Sequence, residues 1–416
     1  MTLFKTSFWT GLSTIIKLAA NFIVAKVLAV YVGPAGFAII GQFQNFVSMV
    51  LTFSGNMIQS GVIKYIAEFK NDQNEKTKIL STAFLICLIA SFVIALFLFF
   101  LDHFFALILL KDINLSWLIN VFSVALIFYV LNTLITSILN GEGRIKTLTV
   151  INMATSLMGL FLTYFLAKNM GLKGALLAQI LSQSVVFVIT LAVIVKIRFK
   201  WSDFMHGIDF RYLIKLLKFA GMAIFSALTV PVAQIVIRTY IGHTLSWQEA
   251  GYWQAVTRIS DAYLLLVTST LSVYYLPKLS ALQGSFAIKK EMKKAYSAVF
   301  PIVVLMALCI FIFRKEIVLT LFSPEFIAML PLFLFQLLGD IFKIGSWLIA
   351  YNMLAKAMTQ LFICSEIIFS LSYCVLSIVF IRFFGLQGVT MAFCLNYLVY
   401  WGFMGIVFYR KFQDAA

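Results

Sequence analysis

The chain has 416 residues, of which 62% are hydrophobic and only 12% are charged, and its net charge is +16 at pH 7. A typical soluble domain is about 25% charged, and the mean hydropathy here is +1.01, so the composition excludes a soluble protein. Segments that are apolar on all sides exclude a transmembrane β-barrel, whose strands alternate in polarity. We therefore predict an all-α polytopic membrane protein.

A membrane-spanning helix needs about 20 apolar residues, and the chain offers twelve such stretches. In chain order the predicted spans are residues 8–32, 38–65, 79–101, 115–139, 147–167, 175–195, 212–240, 251–276, 295–313, 327–355, 361–381 and 389–409. Counted from a cytoplasmic N-terminus, 20 Lys and Arg residues fall on the inner side and 6 on the outer side. This asymmetry follows the positive-inside rule. It predicts that both termini are cytoplasmic, and it explains the net charge without nucleic acid as a partner.

Charged side chains inside the predicted spans are the most informative feature of the chain. Apart from Lys215 and Lys218, near the start of the seventh span, the basic ones are Lys17, Lys26, Lys64, Arg238, Arg258 and Lys343. The acidic ones are Asp261, Asp340 and Glu366. A cation at the bilayer centre costs about 2.5–3.5 kcal/mol on insertion scales, so such residues face a protected cavity or a partner. The excess of basic residues predicts an internal cationic cavity that binds an anionic ligand.

Polar side chains form stripes on the first two spans. Lys17 lies near the middle of the first span and Asn21 follows on the same helical face, so both are predicted to line the cavity. Lys26 lies on the opposite face, where it lines the cavity or extends to the outer headgroups. Gln42 and Gln59, in the second span, either form hydrogen bonds between helices or form a polar wall suited to sugars.

Two pairs of opposite charge lie three residues apart in the second half, Arg258 with Asp261 and Asp340 with Lys343. This spacing places each pair on one helical face, where it forms a buried ion pair or lines the cavity. Gln254 extends the stripe of the first pair. The eleventh span carries a carboxylate, Glu366, with no charged partner in its own helix. It either couples transport to an ion gradient or pairs with a lysine of a neighbouring helix.

A short motif occurs twice along the chain. Gly171–Gly174 has the sequence Gly-Leu-Lys-Gly, and Gly385–Gly388, 214 residues later, has the sequence Gly-Leu-Gln-Gly. Lys26 in the first span is matched by Arg238 in the seventh, 212 residues later. These offsets predict two six-helix lobes related by a parallel repeat, with the substrate site between them near the membrane midplane. The predicted lobes are residues 1–210 and 211–416.

Enzyme signatures are absent from the sequence. It contains no phosphate-binding loop, metal-spaced His/Cys cluster or nucleophile elbow, and its predicted outer loops are too short to carry a catalytic domain. We therefore expect a transporter rather than an enzyme, with neither a cofactor nor a metal ion.

Several longer motifs resemble a known family in the same order along nearly the whole chain. They are Ser13–Lys17, Ala29–Gly36, Gly61–Tyr65, Gly251–Gln254, Ile259–Tyr263, Ser272–Pro277, Gln336–Asp340 and Leu354–Ala357. In these segments the chain resembles the Wzx-type flippases of the multidrug/oligosaccharidyl-lipid/polysaccharide (MOP) exporter superfamily, and among them the enterobacterial lipid III flippases. Arg258 departs from the pattern, because the lipid III flippases carry a small polar residue there.

The resemblance implies a MATE-like fold of two six-helix lobes around a central cationic cavity that opens alternately to either side. It implies transport of undecaprenyl-pyrophosphate-linked oligosaccharide units from the cytoplasmic to the periplasmic leaflet of the bacterial inner membrane. The basic and amide side chains named above would bind the pyrophosphate and glycan. The three acidic residues would balance charge or couple transport to protons or sodium ions. O-antigen polymerase and the chain-length regulator are the protein partners that it implies.

Three substrates remain open within this superfamily. Many Phe, Ile, Lys and Asn residues are typical of AT-rich O-antigen gene clusters, which favours O-antigen units. Lipid III, the carrier of enterobacterial common antigen, is the alternative. A multidrug exporter is less favoured, because cationic drugs require an acidic cavity.

Overall fold

The computed structural model describes residues 3–196, 204, 206–356 and 358–413. Within these residues the chain is almost entirely helical, and no strand occurs. The helices are α1 (Leu3–Tyr31), α2 (Gly33–Ser54), α3 (Gln59–Glu68), α4 (Gln73–Phe100), α5 (Asp102–Phe105), α6 (Ser116–Gly141), α7 (Ile145–Lys196), α8 (Phe210–Thr244), α9 (Trp247–Thr270), α10 (Leu276–Ala281), α11 (Ser285–Ile312), α12 (Arg314–Leu321), α13 (Phe333–Ala355), α14 (Thr359–Phe384) and α15 (Gln387–Gln413). The predicted all-α fold is confirmed.

Within these ranges, nine helical segments are long and apolar enough to cross a membrane. One of them, α7, is a pair of helices joined by a sharp kink at Gly171. Two more helices, α8 with 35 residues and α9 with 24, are long enough to span but are more polar. The chain is a multi-pass membrane protein, and the number of twelve spans stays a prediction.

The predicted second span, residues 38–65, is not one continuous helix. The helix α2 ends at Ser54, a 3₁₀ turn follows over Asn56–Ile58, and α3 begins at Gln59. Gly55 has φ 163° and ψ −24°, outside the helical range, so the helix does not continue past it. The 22 residues of α2 correspond to about 33 Å at 1.5 Å per residue, which is about the thickness of the hydrocarbon core.

The repeated glycine motif forms the same turn in both places. Gly171 has φ 56° and ψ −130°, and Gly385 has φ 58° and ψ −144°, a left-handed conformation that favours glycine. A Cβ on Gly174 would lie 1.9 Å from the carbonyl oxygen of Leu166, and a Cβ on Gly388 would lie 2.2 Å from that of Phe380. Both carbonyls lie eight residues before the glycine. The motif therefore joins two closely packed helices in each half of the sequence.

Packing divides the chain into two compact units. Unit 1 comprises Met1–Gly33 and Ile39–Pro231, and unit 2 comprises Pro34–Ala38 and Val232–Ala416. In unit 1, α7 packs against α1 and α6, and α6 also packs against α4. In unit 2, α13 packs against α15 and α11, and α15 also packs against α14.

The division lies inside α8 and not at residue 210, where the predicted first lobe ends. The cause is local, because Tyr212 and Leu216, both 0% exposed, anchor the first turns of α8 in unit 1. A unit defined by packing need not end where a sequence repeat ends, so the lobes defined by the repeat stay a prediction.

Candidate functional site

The basic residues of α1 differ in exposure. Lys17 and Asn21 are exposed, and Lys26 is half-buried. In the part of the chain that the structure describes, no carboxylate lies within salt-bridge distance of Lys17. Lys17 therefore presents its charge on an accessible face of α1.

The polar residues of the predicted second span have separate environments. Gln42 is 0% exposed, and its Nε2 donates a hydrogen bond to the carbonyl of Ile108 at 3.3 Å. This contact joins α2 to the segment that follows α5, so Gln42 lines no accessible cavity in this structure. Gln59 is half-buried and borders a cavity of about 10 Å³ with Thr133 and Ser137, which is room for about one water molecule.

Lys64 lies near the end of α3 and its side chain is exposed. Its Nζ is 5.2 Å from the centroid of the Tyr65 ring, within the range of a cation–π interaction. Lys17 and Lys64 are thus the two exposed lysines among the six predicted intramembrane cations.

Arg238, on α8 in unit 2, is buried and only 1% exposed. It donates a hydrogen bond to the amide oxygen of Gln254, and its guanidinium lies 5.4 Å from the centroid of the Trp253 ring. Among the described residues, its Nε and Nη1 have no hydrogen-bond partner. A bulky lipid-linked ligand cannot reach this side chain in this conformation, although Arg238 was predicted to bind substrate.

The predicted pair on α9 does not form a direct ion pair. Arg258 is half-buried, with its guanidinium 5.5 Å from the centroid of the Phe37 ring, and Asp261 is exposed. The charges of Arg258 and Lys343 both act on Asp261. Since no carboxylate in the described part lies within salt-bridge distance of Arg258, the pair interacts over a longer distance.

Asp340, on α13, is 0% exposed and is held by hydrogen bonds. It accepts one from the hydroxyl of Tyr263 at 2.9 Å and one from Nε2 of Gln336 at 3.4 Å. Tyr263 was not predicted as a site residue, although it lies in the Ile259–Tyr263 motif. The sequence gives no signal for the contact between Tyr263 and Asp340, because these residues lie on different helices, α9 and α13.

Lys343 is half-buried and is surrounded by aromatic rings. Its Nζ lies 5.1 Å from the ring centroid of Trp347, 5.7 Å from that of Tyr397 and 5.9 Å from that of Phe393. The Trp347 contact has a sequence signal, because Trp347 lies four residues after Lys343 on the same helical face. The contacts with Tyr397 and Phe393 have no such sequence signal, because these residues lie on another helix, α15.

Glu366, on α14, is half-buried, and the charge of Lys343 acts on it. The same lysine also acts on Asp261 and Asp340, so all three of these carboxylates lie within the electrostatic range of one ammonium group. Among the described residues, Glu366 forms no direct ion pair with Lys343. The two alternatives, a lysine partner on a neighbouring helix and coupling to an ion gradient, both stay predictions.

The intramembrane charges are distributed unequally between the two units. Unit 2 contains three of the basic residues and all three acidic ones, and unit 1 contains Lys17, Lys26 and Lys64 with no acidic residue inside a predicted span. The net positive charge predicted for the membrane interior therefore belongs to unit 1.

Comparisons with known proteins extend over most of the chain. The family described as "Polysaccharide biosynthesis protein" matches residues 27–331. The chain is 29% identical over 412 residues to the lipid III flippase of Escherichia coli (strain K12) and to that of Shigella flexneri, with 96% of each chain covered. The resemblance to flippases inferred from the motifs is confirmed.

Solved structures show the same fold at lower identity. An inward-facing MATE multidrug resistance transporter of the MOP superfamily has a TM-score of 0.76 at 15% identity, covering 97% of this chain and 95% of its own. The lipid II flippase MurJ, in an inward closed conformation, has a TM-score of 0.70 at 17% identity, covering 97% of this chain and 87% of its own. The chain belongs to the polysaccharide biosynthesis protein family and has the fold of MOP superfamily transporters.

Proposed function

We propose that the chain is a flippase of the bacterial inner membrane. Its substrate is an undecaprenyl-pyrophosphate-linked oligosaccharide unit, which moves from the cytoplasmic to the periplasmic leaflet by alternating access. Similarity to lipid III flippases over 96% of the chain supports this function, as does the shared fold of MurJ and the MATE transporters. The O-antigen polymerase and its chain-length regulator would receive the translocated unit.

The observation that carries the proposal is the unbalanced positive charge of unit 1. Lys17, Lys26 and Lys64 lie in predicted spans that contain no acidic residue, and Lys17 and Lys64 are exposed. A pyrophosphate is an anion that binds cations through short, charge-assisted hydrogen bonds. A cationic drug would be repelled by the same charges, so the charge distribution favours an anionic lipid headgroup over a drug.

The experiment that tests this proposal is leaflet translocation in proteoliposomes. A fluorescent undecaprenyl-pyrophosphate oligosaccharide is incorporated, and the accessibility of its glycan to a glycosidase on one side is followed over time. We expect Lys17→Ala to slow translocation about tenfold or more, because a hydrogen bond to a charged group contributes about 1.5–3 kcal/mol, and every 1.4 kcal/mol is a factor of about ten.

Two variants control for charge and folding. Lys17→Arg retains the charge and is expected to retain most of the activity. Lys168→Ala removes an exposed lysine of α7 and is expected to leave the rate unchanged. A Lys17→Ala rate equal to wild type would remove Lys17 from the substrate site, and a wild-type protein that moves no lipid-linked glycan would refute the flippase proposal.

The glycan class is the finer part of the proposal. We propose an O-antigen unit, and the 29% identity to lipid III flippases makes lipid III the second candidate. Expression of the chain in hosts that lack either their O-unit flippase or their lipid III flippase separates the two. Restoration of O-antigen alone supports the first, and restoration of enterobacterial common antigen alone supports the second.

Ion coupling is assigned to unit 2 in this proposal. Asp261, Asp340 and Glu366 lie within the electrostatic range of Lys343, so neutralising one carboxylate changes the forces on the other two. Such a group can exchange a proton or a sodium ion as the transporter changes conformation.

A further inference from the structure

We propose that Lys215, on α8, and Lys64, on α3, form a receiving site for the pyrophosphate headgroup of the lipid substrate. The site lies at the end of unit 1 where α3 ends and α4 and α8 begin. This inference rests on the proposed flippase function, and it adds to that function a residue that the charge pattern did not identify. Lys215 lies at the first turns of α8, where its charge resembles that of an ordinary loop lysine.

Both lysines contact one tyrosine ring. Nζ of Lys64 lies 5.2 Å from the centroid of the Tyr65 ring, and Nζ of Lys215 lies 5.5 Å from the same centroid. The two ammonium groups are therefore separated by no more than about 11 Å. Nζ of Lys215 is also 5.2 Å from the centroid of the Tyr212 ring, so two rings hold this ammonium group in place.

The two rings are themselves fixed. Tyr65 is 8% exposed and Tyr212 is 0% exposed, and their centroids are 6.1 Å apart with an interplanar angle of 69°, an edge-to-face geometry that aromatic pairs prefer. The hydroxyl of Tyr212 donates a hydrogen bond to the carboxylate of Glu75. Buried, hydrogen-bonded rings give the lysines a rigid base, which lowers the entropy lost when a ligand binds.

The beginning of α8 is attached to α4 at several points. The hydroxyl of Ser81 donates to the carbonyl of Gly207 at 2.8 Å, and the backbone N–H of Asp209 donates to Oγ1 of Thr82 at 3.0 Å. The Asp209 carboxylate accepts from the backbone N–H of Arg211 at 2.9 Å, which caps α8. These contacts hold the beginning of α8 against α4. They bring Lys215 close to α3 and Lys64, although the two lysines are far apart in the sequence.

Glu75 and Asp209 both contact Tyr212, and both have further hydrogen-bond donors. Glu75 accepts hydrogen bonds from Lys78, Arg211 and Tyr212, and Asp209 accepts from the backbone N–H groups of Arg211 and Tyr212. Within the described ranges, no carboxylate lies within salt-bridge distance of Lys215. Two ammonium groups near one ring repel each other, and an anion that binds both reduces that repulsion.

A pyrophosphate fits this arrangement better than a single phosphate does. It offers oxygen atoms on two phosphorus atoms, so each ammonium group can bind one phosphate. Lysine binds phosphate as a point charge. Lys215 is half-buried beside the rings of Tyr65 and Tyr212, where its interaction with an anion is stronger than in bulk water. The basic loops beside α3, α4 and α8 predict that this end of unit 1 lies on the cytoplasmic side. In the proposed function, the substrate is collected from the cytoplasmic leaflet.

Binding of undecaprenyl pyrophosphate without a glycan tests the proposal. The full-length protein is placed in phosphatidylcholine nanodiscs, and Kd is measured for undecaprenyl pyrophosphate, undecaprenyl monophosphate and phosphatidylglycerol. We expect Lys215→Gln and Lys64→Gln each to weaken pyrophosphate binding about tenfold and monophosphate binding about threefold or less. Lys215→Arg, which retains the charge, is expected to restore most of the affinity.

Lys218→Gln is the matched control. Lys218 lies on the same helix three residues further on and is exposed, so its removal changes the net charge equally. The Kd of the Lys218→Gln variant for undecaprenyl pyrophosphate is expected to stay within about twofold of the wild-type value. Equal losses for Lys215→Gln and Lys218→Gln would overturn the site, and so would an equal loss for all three lipids, which would indicate a general anionic-lipid surface.

Failure of this inference is distinguishable from failure of the proposed function. If wild type and Lys215→Gln translocate the lipid-linked glycan and bind pyrophosphate equally well, the flippase stands and the receiving site is refuted. If the wild type neither binds nor translocates any polyprenyl pyrophosphate, the function and the site are refuted together. Thermal unfolding midpoints of all variants show whether a loss of binding reflects a loss of folding.

Discussion

Asp340 illustrates how a single side chain of this protein tolerates burial. It is fully buried, and it is stabilised by Tyr263 and Gln336 instead of a direct ion pair with Lys343, three residues away on α13. Lys343 is in turn surrounded by the rings of Trp347 and α15. The two opposite charges therefore interact through space while each keeps its own set of polar or aromatic neighbours.

This arrangement predicts that the Tyr263 hydroxyl stabilises the fold. Tyr263→Phe leaves a buried carboxylate without one of its donors, a change that costs about 1–3 kcal/mol. We expect a lower thermal unfolding midpoint in detergent. The control is Tyr274→Phe, because Tyr274 is 57% exposed and its hydroxyl accepts a hydrogen bond from Lys278. Equal midpoints for the two variants would show that the Tyr263–Asp340 hydrogen bond contributes nothing measurable.

The two copies of the glycine turn act at the scale of the element. In each copy, a left-handed glycine ends one helix and a second glycine, three residues on, lets the next helix contact a backbone carbonyl of the first. A backbone carbonyl cannot move aside as a flexible side chain can. The second glycine of each copy is therefore required by the packing of the two helices and not by the turn alone.

Gly388→Ala is expected to destabilise the protein strongly. The new methyl group would lie 2.2 Å from the carbonyl oxygen of Phe380, and overpacking of this kind costs about 1–3 kcal/mol or more. Gly402→Ala, also in α15, is the matched control, because no heavy atom in the described part lies within 4 Å of its added Cβ. Thermal unfolding midpoints measure the difference. A Gly388→Ala midpoint as high as that of Gly402→Ala would contradict the close approach.

At the scale of the whole molecule, charge is divided between the units. Unit 1 carries the unbalanced lysines that suit an anionic headgroup, and unit 2 carries a balanced set in which three carboxylates lie within the electrostatic range of Lys343. In the proposed function, substrate binding belongs mainly to the first unit and ion coupling to the second. Such a division would separate two tasks whose charges, if they lay together, would screen each other.

Glu366→Gln tests the assignment of coupling. The substitution removes a titratable carboxylate and leaves Lys343 in place, so translocation driven by a proton or sodium gradient is expected to fall at least about fivefold. Exchange between leaflets without a gradient is expected to continue. Proteoliposome assays with and without each gradient measure both rates. Glu325→Gln, at an exposed position, is the control, and equal gradient stimulation in both variants would remove Glu366 from the coupling mechanism.

Composition and hydropathy alone determined the helical membrane class, because a segment of about 20 apolar residues has one stable solution in a bilayer. The repeated glycine motif could also be found in the sequence, and the structure shows that both copies form the same turn, where left-handed backbone and close helix contact exclude larger side chains. The intramembrane charges could be found in the same way, because they stand out against an apolar background.

Only the tertiary structure decided which of these charges are accessible. Arg238 is buried, and Lys17 and Lys64 are exposed. The partners of Lys343 on α15, and the position of Lys215 beside Lys64, likewise depend on contacts between helices that are remote in sequence. Helical periodicity relates residues three or four positions apart on one helix, and it carries no information about which face of another helix lies opposite.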